Sequence, residues 1–177
     1  WPAHSNSLIN NYKSTTQNNF KDFFIVDSVK KVLSLNKGEH ELKSTIVIPN
    51  GWELKIEANT KINMLKGASI TSYSPIYFNG KKDNIISIYS SDKTGMGITV
   101  INANKPSNLN YVKFNQLSSN NKDKWTLTGA ITFYESDVTI NHCSFNDNYS
   151  EDGLNIIRSK FNLNNCLFKN TFSDAFD

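Results

Sequence analysis

Two acidic stretches near the end of the chain, NYSEDGLN (Asn148–Asn155) and NTFSDAFD (Asn170–Asp177), align at a shift of 22 residues. The alignment lays Asp152 over Asp174 and Asn155 over Asp177, with Glu151 alongside. If the two stretches are neighbouring strands, their carboxylates stand about 4.8 Å apart. Like charges at that spacing repel unless a cation or a hydrogen-bond donor intervenes. Three chemistries fit. Glu151, Asp152, Asp174 and Asp177 offer the oxygen ligands that Ca²⁺ takes. Carboxyls roughly 5–9 Å apart could instead flank a scissile glycosidic bond. Lastly, Asp and Asn accept backbone N–H bonds at tight turns, and recur simply because the turn recurs.

Other residues offer binding rather than catalysis. Trp125 follows the polar run SSNNKDK (Ser118–Lys124), which reads as a loop bulging from the wall, and its indole could be a platform for a sugar ring. Tyr134 and Asn155 could add stacking and hydrogen bonds, and Tyr73, Tyr77, Tyr89 and Tyr111 also read as outward or corner positions. His142 aligns with Asn165 rather than with an acid or a second histidine, which argues against a metal or general-base role. With two cysteines there is no disulfide framework and no metal-ligand spacing. Cys143 and Cys166 read as stacked core thiols.

The elements that must position these residues are visible as a repeat. At a shift of 23, Gly129–Asn148 (GAITFYESDVTINHCSFNDN) falls without gaps on Asp152–Thr171 (DGLNIIRSKFNLNNCLFKNT). Ile131 and Phe133 meet Leu154 and Ile156, Val138 and Ile140 meet Phe161 and Leu163, and Cys143 and Phe145 meet Cys166 and Phe168. Each unit holds three apolar-x-apolar pairs, the period-2 signature of a strand with one face inward. Three such strands joined by tight polar corners make one coil of a solenoid. Looser units precede, from Ile46/Ile48, Leu54/Ile56 and Ile62/Met64 onward, and Asn141 and Asn164 read as the start of an internal asparagine ladder. The expectation is an all-β chain, a right-handed parallel β-helix of about five to six coils, with ~23 residues per coil. Residues 1–37 are expected to be an arm and capping segment, with Asp27 capping a short helix over Ser28–Leu35 and Phe20, Phe23 and Phe24 packed on it. Residues 38–177 form the solenoid, expected to continue past its last residue in a longer polypeptide.

Composition agrees. The 177 residues are only 38% apolar yet 12% aromatic, carry a net charge of +3, and have a mean hydropathy of −0.46. The positive charge is spread as single lysines, with Lys30-Lys31 and Lys81-Lys82 the adjacent pairs and Arg158 the sole arginine. A nucleic-acid partner would call for a basic face, so none is expected. No run approaches 18 apolar residues, so no membrane insertion is expected.

From about Gly38 to Asp177 the chain resembles the right-handed parallel β-helix proteins of the pectate-lyase-like superfamily. GEHELKSTIVIPNGWELKIEANTKI (Gly38–Ile62) is similar to an opening coil whose first corner is Ile48-Pro49-Asn50-Gly51. SPIYFNGKKDNIISIYSSD (Ser74–Asp92) and LNYVKFNQLSS (Leu109–Ser119) resemble coils of bacterial surface proteins, some of which carry a CotH-like kinase domain elsewhere. The resemblance implies a secreted or surface-displayed repeat domain whose partner is a polysaccharide or cell-surface glycan. Alternatively it implies a calcium-dependent polysaccharide lyase or other polysaccharide-active enzyme. There Asp152, Asp174 and Asp177 would be catalytic and Arg158, or Lys160, the base, since lyases of this superfamily place a basic side chain beside the acids. A trimeric tailspike or adhesin segment is the third possibility the resemblance allows. Fold alone does not decide between these.

Overall fold

The computed structural model describes residues 20–119 and 127–177. The chain winds as a parallel β-solenoid of six coils with three strands each. The coils are β2 (Val32–Ser34), β3 (Gly38–Leu42), β4 (Ile46–Ile48); β5 (Glu53–Glu57), β6 (Thr60–Met64), β7 (Ile70–Ser72); and β8 (Ile76–Asn79), β9 (Ile86–Tyr89), β10 (Ile98–Ile101). They continue as β11 (Ser107–Asn110), β12 (Val112–Asn115), β13 (Gly129–Tyr134); β14 (Val138–Asn141), β15 (Ser144–Asn146), β16 (Asp152–Ile157); and β17 (Phe161–Asn164), β18 (Leu167–Lys169), β19 (Asp174–Phe176). Stacked coils give three walls. The first runs β2-β5-β8-β11-β14-β17, the second β3-β6-β9-β12-β15-β18 and the third β4-β7-β10-β13-β16-β19.

The inward residues form columns because parallel registry places the same parity of each strand over its neighbour. Ile62, Ile88, Phe114, Phe145 and Phe168 stand in one column. Ile70, Ile98, Ile131, Leu154 and Phe176 stand in another. Phe145 is fully buried, with its ring 5.1 Å from Phe114 and 4.9 Å from Phe168, both stacked. Each such side chain contributes about 1.5–3 kcal/mol by leaving water, and the offset stacks add to that.

The corners are built from single residues in the left-handed region. Tyr111, His142 and Asn165 follow the first wall's strands, Gln116, Asp147 and Asn170 the second's, and Asn102, Glu135 and Arg158 the third's, all with φ between 47° and 57°. A non-glycine residue there costs about 1–2 kcal/mol. Six of these corners are held by a backbone bond to the next coil, among them Tyr111 N–H to Asn141 O at 3.0 Å, His142 N–H to Asn164 O at 2.9 Å and Glu135 N–H to Ile157 O at 2.9 Å. At Tyr111, His142, Glu135 and Arg158 one such residue turns the chain onto the next wall without Gly, whereas earlier corners use glycine, as at Gly51 with φ 85° and Gly67 with φ 68°.

The N-terminal segment carries the expected short helix, but at another place. The short helix, α1, lies at Phe20–Phe23, while the span assigned to a helix, Ser28–Leu35, is a hairpin loop followed by a strand. β1 (Ile25–Asp27) pairs antiparallel with β2, and Asp27 Oδ1 accepts the N–H groups of Val29 at 3.1 Å and Lys30 at 2.9 Å, capping a tight turn instead of a helix. The solenoid's open edge decides this, because β5 offers Leu33 a strand partner and full burial and Val29 is left 94% exposed. The parallel strands therefore begin at Val32, ahead of Gly38. Phe20 and Phe24 are buried as expected, Phe20 against Trp52 with ring centroids 5.4 Å apart.

Cys143 and Cys166 are free thiols in adjacent coils. Burial pushes the Cys143 thiol up to about 12. Among the described residues no helix is long and apolar enough to cross a membrane.

Candidate functional site

The acidic echo is real as registry. Asp152 opens β16 and Asp174 opens β19 directly beside it. The two carboxylates meet different surroundings, however. Asp152 is buried and accepts a hydrogen bond from Asn155 Nδ2 at 3.0 Å, whereas Asp174, Asp177 and Glu151 are exposed. The backbone carbonyl of Glu151 accepts the N–H of Asp174 at 3.0 Å. Among the described residues no three His, Cys, Asp or Glu side chains converge as a metal site. Arg158 is the corner residue that follows the strand Asp152 begins, roughly 20 Å from Asp152 by the strand rise. Its guanidinium donates to Tyr134 Oη at 3.3 Å and to Glu135 Oε1 at 3.4 Å, so it serves the third wall's corner and not the acidic pair. Lys160 lies beyond that corner, where its N–H donates to Asp137 Oδ1 at 2.8 Å.

The binding residues also divide. Tyr134 is half-buried beneath Arg158. Asn155 is 4% exposed and its Oδ1 has no hydrogen-bond partner among the described residues. Trp125 lies outside the described residues, as do residues 1–19 and most of the Ser118–Lys124 loop. Tyr73 is buried, which raises its phenol, while Tyr77, Tyr89 and Tyr111 keep partial exposure.

The three walls differ in access. On the third wall the outward ladder Thr71, Thr99, Thr132, Asn155 is closed to solvent, with no member above 5% exposed. The second wall also presents outward polar columns, Glu39, Lys61, Ser87, Lys113, Ser144 and Glu41, Asn63, Tyr89, Asn115, Asn146, Lys169, with a Glu39–Lys61 pair at 2.7 Å. The first wall is open and carries two continuous polar columns. One runs Lys55, Tyr77, Asn108, Thr139, Asn162 and the other Glu57, Asn79, Asn110, Asn141, Asn164. Along the second column Asn79 Nδ2 donates to Glu57 Oε1 at 3.1 Å, Asn141 Nδ2 to Asn110 Oδ1 at 3.0 Å and Asn164 Nδ2 to Asn141 Oδ1 at 2.9 Å. The asparagine ladder exists, but it faces outward. Strand parity requires this, since Ile140 beside Asn141 takes the inward position.

At the first-coil end of this wall lies a cleft of about 190 Å³ lined by Lys30, Lys31, Trp52, Glu53, Pro75 and Lys105, with Val29, Gly51 and Asn104 completing the rim. Three corners of successive coils and the β1–β2 loop meet here. Glu53 is the hub: Lys55 Nζ lies 2.9 Å from Oε2 and Lys105 Nζ 3.0 Å from Oε1. Hydrogen bonds from Lys55 and then Lys105 hold its carboxyl below the ordinary range, and Glu53 in turn raises Lys105. Lys55 Nζ also stands 5.8 Å above the Tyr77 ring, linking cleft to wall.

Sequence reasoning missed this cleft, although each part had a signal. Lys30-Lys31 is an adjacent basic pair, Trp52 follows the Pro49-Asn50-Gly51 corner, and Lys105-Pro106 marks a corner insertion. Nothing local says that Lys105 reaches Glu53 across two coils. Comparison with protein-family models, with curated proteins and with solved structures gives no match.

Proposed function

We propose that the chain is a glycan-binding solenoid module, secreted or displayed at a surface, whose first wall holds a polysaccharide along the solenoid axis. The observation that carries this reading is the first wall's pair of open polar columns, one of them laddered by hydrogen bonds between successive asparagines. Their rungs repeat at about 4.8 Å, which presents amide donors and acceptors periodically to a polymer with periodic hydroxyls. The asparagines are already ordered by one another, so little side-chain freedom remains to be lost on binding. Tyr77, half-buried beside Lys55, offers a ring face.

The reading is tested by calorimetry against a panel of neutral and acidic oligosaccharides, using the full chain and a Tyr77→Ala/Asn108→Ala double variant. Binding that weakens about tenfold or more in the variant, with an unchanged unfolding midpoint, is the expected result. Absence of binding to every glycan retires the proposal. The lyase alternative rests on the Asp152–Asp174 registry alone, and Arg158 is engaged elsewhere. Unsaturated product formed from a polyuronate in the presence of calcium would overturn the binding-only reading.

A further inference from the structure

We infer that the cleft beside Trp52 receives the anionic group of an acidic sugar residue, so that the glycan on the first wall is a charged one. This rests on the glycan-binding reading and adds to it a place and a charge class. The cleft is lined by three lysines and one carboxylate, and that carboxylate is already engaged by Lys55 and Lys105. Lys30 shares Asp27 at 3.6 Å. Lys31 forms no ion pair among the described residues. An incoming carboxylate or sulfate would therefore meet a net excess of positive charge, with Lys31 unengaged and Lys105 able to share its protons.

The cleft is also built. The loop carrying Lys30 and Lys31 is fixed at one end by Asp27 and at the other by Glu53 N–H, which donates to the Lys31 carbonyl at 2.9 Å. Lys31 is held at φ 53°, a conformation an L-residue keeps only when its surroundings over-determine it. Trp52 is seated on Phe20, and its backbone N–H donates to Ser74 Oγ at 3.0 Å. A pyranose could lay its C–H face on the indole and turn its acidic substituent to Lys31 and Lys105. The volume suits about one ring, below the roughly 300–1,000 Å³ of pockets that enclose a whole small molecule, so the cleft is a subsite from which a polymer continues past Lys55 onto Tyr77.

A nucleic acid is the competing polyanion. It would need a basic groove tracking its phosphates and a series of stacking rings, whereas here one indole is followed by Glu53, Tyr77 and neutral amides.

The test uses calorimetry on the full chain with an oligogalacturonate, its methyl ester, a sulfated oligosaccharide and an oligonucleotide of equal charge, each at low and at physiological salt. The free acid or the sulfated sugar is expected to bind about tenfold tighter than the ester, an advantage that falls with salt. Which of the two binds tighter identifies the anionic group. Lys31→Ala and Lys105→Ala should each weaken the acidic ligand about two- to fivefold and leave the ester unchanged. Trp52→Ala should weaken both. Trp52→Phe, which keeps a ring on Phe20, should retain most binding and guards against a folding defect. Equal affinity for acid and ester, with the lysine variants silent, overturns the subsite and leaves the wall reading standing. Loss of all glycan binding in the parent chain overturns both. An oligonucleotide bound as tightly as the acidic glycans overturns the inference in favour of an unselective basic patch.

Discussion

Replacing Phe145 by alanine tests the packing logic at its centre. The side chain is fully buried and sandwiched between Phe114 at 5.1 Å and Phe168 at 4.9 Å. Loss of a buried phenylalanine costs about 3–5 kcal/mol in transfer and cavity terms, and a stacked pair carries about 0.5–1.5 kcal/mol beyond that. A value near 4 kcal/mol is expected, a large share of the roughly 5–15 kcal/mol that holds a domain together. Phe168 has one stack and keeps partial exposure in the last coil, so Phe168→Ala should cost about half as much. Urea unfolding followed by circular dichroism measures both. A solenoid can lose terminal coils separately, so hydrogen exchange at Leu154 and Ile140 should accompany it, expected to fall in Phe145→Ala and to change little in Phe168→Ala. A Phe145→Ala cost below 1 kcal/mol, or one smaller than that of Phe168→Ala, would refute the stacked-column argument.

Gly97 sits at φ 68° with the Ala130 carbonyl oxygen 1.9 Å from where a Cβ would stand. Gly97→Ala should therefore cost about 3 kcal/mol in the same urea assay, and a neutral result would contradict the close approach of those two coils. Asp92 accepts bonds from the N–H groups of Lys66 and Thr94 and from the hydroxyls of Thr94 and Ser90, and these bonds, led by Lys66 N–H, hold its carboxyl below the ordinary value of 3.8. Its stabilising effect is complete above that value and is lost as pH falls through the lowered folded value. The difference in urea midpoint between the parent chain and Asp92→Asn should thus shrink from pH 7 to acid pH, and a constant difference would count against this reading. Cys143, raised to about 12 by burial, should resist a thiol reagent at pH 8 in the folded chain, while half-buried Cys166 reacts first. Equal rates for the two would refute the assigned burial.

The alternation of apolar and polar residues carried a great deal. Phe145 over Phe168, Cys143 over Cys166 and Asp152 over Asp174 are all register partners or neighbours of them, as the 22- and 23-residue shifts anticipate. That pattern is legible because inward and outward facing is a local property of a strand, repeated with each residue. The corners were less legible. Tyr111, Gln116 and Glu135 are not turn residues by type, and they occupy the left-handed region only because the next coil supplies a carbonyl for each N–H. The asparagine ladder was found but placed inside, since side-chain amides can satisfy backbone groups at an inner corner as well as one another on a wall.

What the sequence determined by itself is the coil, whose three inward ribs follow from period-2 alternation. The repeat of about 23 residues holds between the last two coils, whereas insertions at the corners of the middle coils lengthen it, so that Ile98 pairs with Ile131 and Leu109 with Ile140. The tertiary structure decided the rest. It turned Ser28–Leu35 from helix to hairpin because β5 presents an edge to Leu33, and it closed the third wall while leaving the first open. It also drew Arg158 to Glu135 and brought Lys105 to Glu53 across 52 residues. These outcomes depend on the lengths of intervening corners and on which surfaces are already covered, quantities that no local window of residues contains.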